Sequence, residues 1–328
     1  MNWQGRSVLV TGARGFLGGW LCSALLDRGA EVVALVRDEL APSDFPQLES
    51  RLHLVRGNME DDHLLERLVF HYEVKTVFHV GAQTLVGRAA RLPVNTFESN
   101  IRGSWLLLEA CRQAKTVEQI VVASSDKAYG SQKEGLYTEE SRLDATFPYD
   151  VSKACTDMIC QCYAKTYGLP VVVTRCGNFF GGGDLNWSRL IPGTLRAIMQ
   201  HDQGPVIRSD GSYVRDYLYI EDAVAAYIHL AESLATRPDL AGEAFNFSFE
   251  RPLTVLEFVN LMLTAVGRLD LQPKVLNLPE ARLEIPVQML SAEKARQQLN
   301  WQPRFGLDEG LARTIDWYRN YFERQVKP

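Results

Sequence analysis

The sequence predicts an α/β chain built on a doubly wound parallel sheet and followed by a smaller C-terminal α/β lobe. Three observations carry that prediction. Short, almost wholly apolar runs recur through the first 175 residues, helical stretches separate them, and a glycine-rich turn joins the first run to the first helix. Strands buried on both faces read as continuous apolar runs, and helices between them cover both sides of a parallel sheet.

The first strand is residues 7–11 (SVLVT). A helix runs from about 15 to 28 and stops at Gly29, and residues 31–37 (EVVALVR) form the second strand. A third strand follows at 52–56, a helix near 61–71, and a fourth strand at 76–80. Residues 95–115 read as one long helix, 119–124 (QIVVAS) as the fifth strand, about 150–167 as a helix and 170–175 as the sixth strand. After Arg175 the rhythm changes. Residues 178–187 form a glycine-rich loop with glycines at 181, 182 and 183, and prolines at 192, 205, 238, 252, 273, 279, 286 and 303 punctuate shorter segments. The organisation expected is a sheet domain over 1–178, to which the chain returns around 214–248, and a lobe made of 179–213 and 249–328.

The chain has 328 residues, 46% of them apolar, enough for one large domain or two closely joined ones. Its net charge is −5, with no long run of either sign. A nucleic-acid surface shows a basic excess or stripe, so that class of partner is excluded, and an anionic ligand must be gripped locally by helix ends and a few arginines. No apolar stretch reaches the ~18–20 residues of a membrane span. The opening MNWQGR leads directly into a strand, which argues against a secretory leader and for a cytoplasmic protein. The six cysteines (22, 111, 155, 160, 162 and 176) form no CxxC pair and read as reduced thiols. The histidines are scattered without ligand spacing, so no metal is expected.

The turn after the first strand is TGARGFLG, with Gly12, Gly15 and Gly18 between strand and helix. There the backbone must approach a pyrophosphate closely, and the helix N–H groups point at it. In this βαβ context the turn predicts a Rossmann dinucleotide site. The residue that reads the adenosine ribose lies at the end of the second strand, where an acid favours NAD and an arginine accepts the 2′-phosphate of NADP. Arg37 and Asp38 stand side by side there, so both chemistries remain open.

Tyr149 and Lys153 are spaced i, i+4 at the head of a helix and share a face. An ammonium near the phenol would lower its pKa from ~10 and make Tyr149 a general base. Ser125 follows the fifth strand in SSDKAYG, at the carboxyl edge where open parallel sheets bind ligands. Together with VFHVGAQ at 77–83, YDVSK at 149–153 and VRDYLYIED at 214–222, these motifs resemble the extended short-chain dehydrogenase/reductase family over essentially the whole chain. Within it, the chain is most similar to nucleotide-sugar 4,6-dehydratases. Ser125-Asp126-Lys127, AQTLV at 82–86, PVNTFESNIRGSWLLLEA at 93–110 and GNFFGGGD at 177–184 resemble the CDP-glucose 4,6-dehydratase branch, whereas the glycine turn and VRDYLYIED look more like the wider dehydratase/epimerase group.

The resemblance implies a dinucleotide, NAD(P) with a lean to NAD, held by Gly12, Arg14, Gly15, Phe16, Leu17, Gly18, Arg37, Asp38, Asn58, Met59, Gly81, Ala82, Gln83, Asn100, Tyr149 and Lys153. It implies a nucleotide-diphosphate sugar held by Thr84, Ser125, Asn178, Arg189, Arg215 and Arg282, with the alternative that Arg215 is a structural partner of Asp216 or Asp222. Trp187 and Tyr217 could stack on a base, but core packing is the default for each. The implied chemistry is transient oxidation. Tyr149 takes the 4-OH proton with Ser125 on O4, Lys127 removes the C5 proton, a protonated Asp126 serves the departing 6-OH, and hydride returns to C6. The bland alternative for Asp126-Lys127 is a surface ion pair of little worth. Alternatives for the whole chain are a 4-epimerase or decarboxylase on the same scaffold, an alcohol dehydrogenase with net redox turnover, and a catalytically dead cofactor sensor. Family members pair into dimers through helices like those near 95–115 and 150–167.

Overall fold

The computed structural model describes residues 1–37, 45–131, 136–279, 281 and 284–326. Asp38 and Arg282 lie outside the described residues. The first half of the chain alternates as the sequence predicts: β1 (Ser7–Thr11), α1 (Phe16–Leu26), β2 (Glu31–Val36), β3 (His53–Arg56), α2 (Asp62–His71) and β4 (Thr76–His79). Then come α3 (Val86–Arg91), α4 (Pro93–Phe97), α5 (Gly103–Ala114), β5 (Gln119–Ala123), α6 (Pro148–Tyr167) and β6 (Val171–Cys176). The second half carries β7 (Asn178–Phe180), α7 (Leu190–His201), β8 (Val206–Ile207), β9 (Val214–Arg215), β10 (Tyr217–Tyr219) and α8 (Ile220–Thr236). It ends with β11 (Ala244–Phe247), β12 (Leu253–Thr254), α9 (Val255–Val266), β13 (Lys274–Val275), α10 (Glu293–Leu299) and α11 (Leu307–Val326).

Seven strands form one parallel sheet in the order β11-β6-β5-β4-β1-β2-β3. Alternate residues of each strand enter different cores, as the period-2 geometry of a strand requires. Val8, Val10, Val32, Ala34, Phe78, Val121 and Val172 join Leu21, Leu25, Ala223 and Tyr227 of α1 and α8 on one face. Leu9, Val33, Leu35, Val77, Ile120, Val122 and Val171 join Leu65, Leu107, Leu108 and Cys160 of α2, α5 and α6 on the other. The strand order reverses between β1 and β4, so a crevice opens outside their carboxyl ends.

The long helix expected over 95–115 is divided. A π turn at Glu98–Arg102 separates α4 from α5. Such single π turns are rare and recur at functional sites. The helix expected from 150 opens at Pro148, where its missing N–H costs no intrahelical bond.

The glycine-rich stretch at 181–183 is buried rather than an open loop. A Cβ on Gly182 would lie 2.1 Å from Trp317 of α11, and Trp20 of α1 donates its indole N–H to the Gly182 carbonyl at 2.8 Å. These glycines let two tryptophans press on the backbone and weld α11 to α1. Trp187 packs with Tyr318, Tyr321 and Phe322, and Tyr217 stacks on Phe258 at 3.9 Å, so both aromatics are core residues.

Candidate active site

The glycine turn sits at the reversal of strand order. Gly12 has φ +69°, and a Cβ there would lie 2.6 Å from the Cα of Gly81 at the end of β4. A Cβ on Gly18 would meet the Gly12 carbonyl at 2.1 Å. Only glycine allows both approaches. Gly15 is the N-cap of α1 with no side-chain cap, and the first turn holds no acid, so the N–H groups from Phe16 and Leu17 onward are open to an anion. Arg14 beside them pairs with Glu49 at 2.9 Å. Arg37 is exposed at the end of β2. Met59 packs against Gly103 of α5, and the Asn58 carbonyl accepts from Asp61 N–H.

Beneath this edge runs a buried polar chain in which sequence reading singled out Gly81, Gln83 and Asn100 but not Thr11, His79, Ser104, Ser152 or Thr156. Thr11 Oγ1 meets Gly81 N–H at 3.0 Å and His79 Nδ1 at 2.8 Å, and His79 Nε2 meets Ser104 Oγ at 2.9 Å. Ser104 donates to the Asn100 carbonyl, as does Thr156 of α6 at 2.9 Å. That carbonyl belongs to the π turn. The Asn100 amide donates to the Gln83 carbonyl and Ser152 Oγ while accepting from Gln83 N–H at 2.7 Å, so it braces the Gly81–Gln83 segment against α6. Burial, reinforced by Lys153, depresses His79 to about 3, so its imidazole is neutral.

Ser125 ends the segment after β5 and caps a 3-10 turn over Asp126–Tyr129, accepting from Lys127 N–H at 3.2 Å. Its hydroxyl donates to Asp126 Oδ1 at 2.9 Å. Asp126 and Lys127 are 4% and 9% exposed, so the surface ion pair is excluded as an account of them. Lys127 Nζ donates instead to Gln288 Oε1, at 2.8 Å. Burial pushes the Asp126 carboxyl up against the pull of Lys127, Ser125 and Arg215. It pulls the Lys127 ammonium down, with Arg215 adding to the effect and Asp126, Glu284 and Asp150 opposing it. Acid and base are both biased towards their neutral forms.

Tyr149 and Lys153 stand on one face at the head of α6, both buried. The expectation that Lys153 lowers the phenol is not met in this arrangement. Burial pushes Tyr149 well above its ordinary value, and the moderating contacts are Ser125 and Arg189. Lys153 Nζ spends a donor on the Ala123 carbonyl at 2.7 Å, and burial draws its pKa to about 8.

Arg189 bonds Asp184 at 3.0 Å and Thr84 Oγ1 at 3.0 Å, joining two of the sugar-nucleotide candidates near Tyr149. Arg215 is 4% exposed and pairs with Glu284 at 3.1 Å, not with the two aspartates suggested by the sequence. Asp216 accepts from Ser248 Oγ and Glu250 N–H, and Asp222 accepts from the N–H groups of Arg304 and Phe305. Asn178 opens β7, in register with Tyr217.

A parallel sheet with a glycine turn at its reversal point, and a serine, tyrosine and lysine gathered at its carboxyl edge, defines an extended short-chain dehydrogenase/reductase. The chain belongs to the GDP-mannose 4,6-dehydratase family, whose model matches residues 9–314. CDP-glucose 4,6-dehydratase of Salmonella typhimurium is 31% identical to it, over 97% of this chain and 91% of that protein. A dTDP-glucose 4,6-dehydratase of Streptomyces venezuelae, solved with NAD bound, matches with a TM-score of 0.85 at 28% identity, covering 97% of this chain and 98% of the other. UDP-glucose 4-epimerase of Thermotoga maritima, solved with UDP-glucose, gives 0.86 at 27% identity over 96% and 99%. Among the described residues no helix is long and apolar enough to cross a membrane, and no His, Cys, Asp or Glu cluster could hold a metal ion.

Proposed function

We propose that the protein is an NAD(P)-dependent nucleotide-sugar 4,6-dehydratase, acting on an NDP-hexose. The observation that carries this reading is the buried Asp126–Lys127 pair beside Ser125, because a 4-epimerase has no use for an acid and a base of this kind. The open first turn of α1 and the Gly12–Gly81 approach fit a pyrophosphate, and the relatives solved with NAD support a lean to that dinucleotide. A bound oxidised dinucleotide supplies a hydride store and a positive charge.

The chain's own residues do the rest. Ser125 hydrogen-bonds the sugar O4. Tyr149, raised by burial in the dinucleotide-free protein, would be drawn to its phenolate by the positive charge of the bound dinucleotide and receive the 4-OH proton as C4 gives up its hydride. The resulting C4 ketone acidifies C5–H, whose proton passes to the neutral amine of Lys127. The 6-hydroxyl leaves as water with a proton from Asp126. C6 then takes back the hydride lost at C4 while the Lys127 ammonium returns a proton to C5, and the proton gained by Tyr149 replaces the one lost by Asp126. The product is a 4-keto-6-deoxy sugar, with no net oxidation. Arg215 and Arg189 suit the diphosphate, because a guanidinium forks onto phosphate oxygens in charge-assisted pairs. In this division of labour residues 1–178 and 214–248 carry the dinucleotide, and 179–213 with 249–328 carry the sugar nucleotide.

The six unpaired cysteines support a reducing, cytosolic setting. Exposed Val94, Trp105 and Met158 on α4, α5 and α6 support a homodimer through these helices.

The test is incubation with CDP-, dTDP-, UDP- and GDP-hexoses and NAD(P), followed by product mass. Loss of one water without accumulating NAD(P)H is expected for one nucleotide. An isobaric product would replace this reading with a 4-epimerase, as the superposition on UDP-glucose 4-epimerase allows.

A further inference from the structure

We propose that Gln288 is the positioning residue for Lys127: it aims the amine and, being uncharged, leaves it free to act as a base. The inference rests on the reading of Lys127 as the acceptor of the C5 proton. In that step the amine becomes an ammonium, the C–H electron pair becomes the C5–C6 double bond, and the 6-hydroxyl leaves as water with the proton of Asp126.

Gln288 arrives from 161 residues away and is 1% exposed. Its backbone is fixed on both sides. Its N–H donates to the Val214 carbonyl at 3.1 Å, and Val214 N–H donates to the Pro286 carbonyl at 2.9 Å. On the other flank Tyr137 N–H donates to the Met289 carbonyl at 2.8 Å. The backbone that presents the Gln288 side chain to Lys127 is therefore held in place from both flanks. With Oε1 turned to Lys127, the amide accepts one N–H of the amine and leaves its lone pair uncommitted, as a base requires.

Two features separate this contact from ordinary packing. Gln288 Nε2 is buried without a hydrogen-bond partner among the described residues. Leaving a buried donor unpaired costs ~1–3 kcal/mol, so a bracing glutamine would use both ends. Here the protein keeps the residue for its oxygen. The groups facing Lys127 are also already mixed in sign: Asp126 on its own turn, Asp150 at the head of α6, Glu284 on the segment before Gln288, and Arg215 on β9. A carboxylate at 288 would tip that balance and lock the ammonium, whereas an amide holds the nitrogen in place without adding charge.

The first measurement needs no substrate. Carbon-13 NMR of lysine-labelled full-length protein gives the Lys127 pKa, with Lys127→Met identifying the resonance. Gln288→Glu should raise that pKa by about 1–3 units, the range for a new opposite charge in contact, and Gln288→Met should not raise it. An unchanged pKa in Gln288→Glu overturns the proposal.

The second measurement uses the sugar nucleotide that loses water. In Gln288→Glu the rising limb of the pH profile for water loss should move up by the same amount, and elimination should fall by more than hydride transfer. If the glutamate variant does not fold, Gln288→Met carries the test. It should lower elimination relative to hydride transfer, and an unaltered ratio overturns the proposal. A raised KM with the pH limb in place would also overturn it, making Gln288 a wall of the substrate site. If no sugar nucleotide loses water, the dehydratase reading fails, while the NMR result still decides the Lys127–Gln288 relationship.

Discussion

Lys127 and Asp150 lie in one buried cluster of charge, yet the proposed chemistry uses only the first. Lys127→Met removes the base and nothing needed to take hydride from C4. Water loss should fall by about 10²–10⁴, the usual worth of a positioned base, while nicotinamide reduction in a single turnover falls far less. Equal loss of both steps would sink the assignment of Lys127 to C5. Asp150 is 2% exposed, its Oδ1 has no hydrogen-bond partner among the described residues, and burial raises its pKa from 3.8 to about 7. The unfolded chain ionises above 3.8 and the folded chain only above about 7, so folding takes up a proton between these values. Stability from this group therefore declines as pH rises from 3.8 to about 7 and is flat beyond. Asp150→Asn should gain stability over the parent as pH rises through that window, by at most ~4 kcal/mol at ~1.4 kcal/mol per unit. Urea titrations at pH 4 and pH 8 check it, and an equal difference at both would show that Asp150 carries no such penalty.

At the scale of elements, the site depends on how α6 is fastened to the sheet. Arg175 of β6 grips Asp157 of α6 with two bonds, of 2.7 and 2.9 Å, and both side chains are almost fully buried. The same guanidinium reaches Tyr129 OH at 2.9 Å and lies over its ring, tying the turn that carries Asp126 and Lys127 to the helix that carries Tyr149 and Lys153. Removing one partner strands a buried charge, so Asp157→Ala should cost about 3–5 kcal/mol in urea unfolding. Asp157→Ala combined with Arg175→Met should recover much of that loss, and a double variant no better than the single would sink the stranded-charge account. Arg175 reads from sequence only as the end of an apolar strand, because its partner is 18 residues away on another element. Local patterns made the glycine turn, Ser125 and the Tyr149–Lys153 pair legible, since each is a short motif at a strand end or helix head. The π turn, His79, the Arg215–Glu284 pair and Gln288 were not legible. They are defined by contacts between segments that meet only after the sheet has formed and the C-terminal third has docked.

For the whole molecule, assembly turns on the outer face of the helix that carries Tyr149 and Lys153. Val151, Cys155, Met158 and Cys162 of α6 recur at steps of four, three and four, all half-buried or exposed, which is one stripe on a helix. Trp105 of the neighbouring α5 is 40% exposed and Met158 61%. Monomers rarely leave a contiguous apolar stripe to water, and two copies meeting through α5 and α6 would cover it. Because Tyr149 and Lys153 sit at the head of this helix, the dimer would also steady the site. Met158→Arg places an unpaired charge at the centre of the proposed contact and should shift the protein from dimer to monomer in analytical ultracentrifugation. The loss should be accompanied by a lower Tm that no longer depends on protein concentration. A parent protein that already sediments as a monomer would leave the stripe uncovered in solution and end the dimer reading. A dimer that survives Met158→Arg would move the interface to another face.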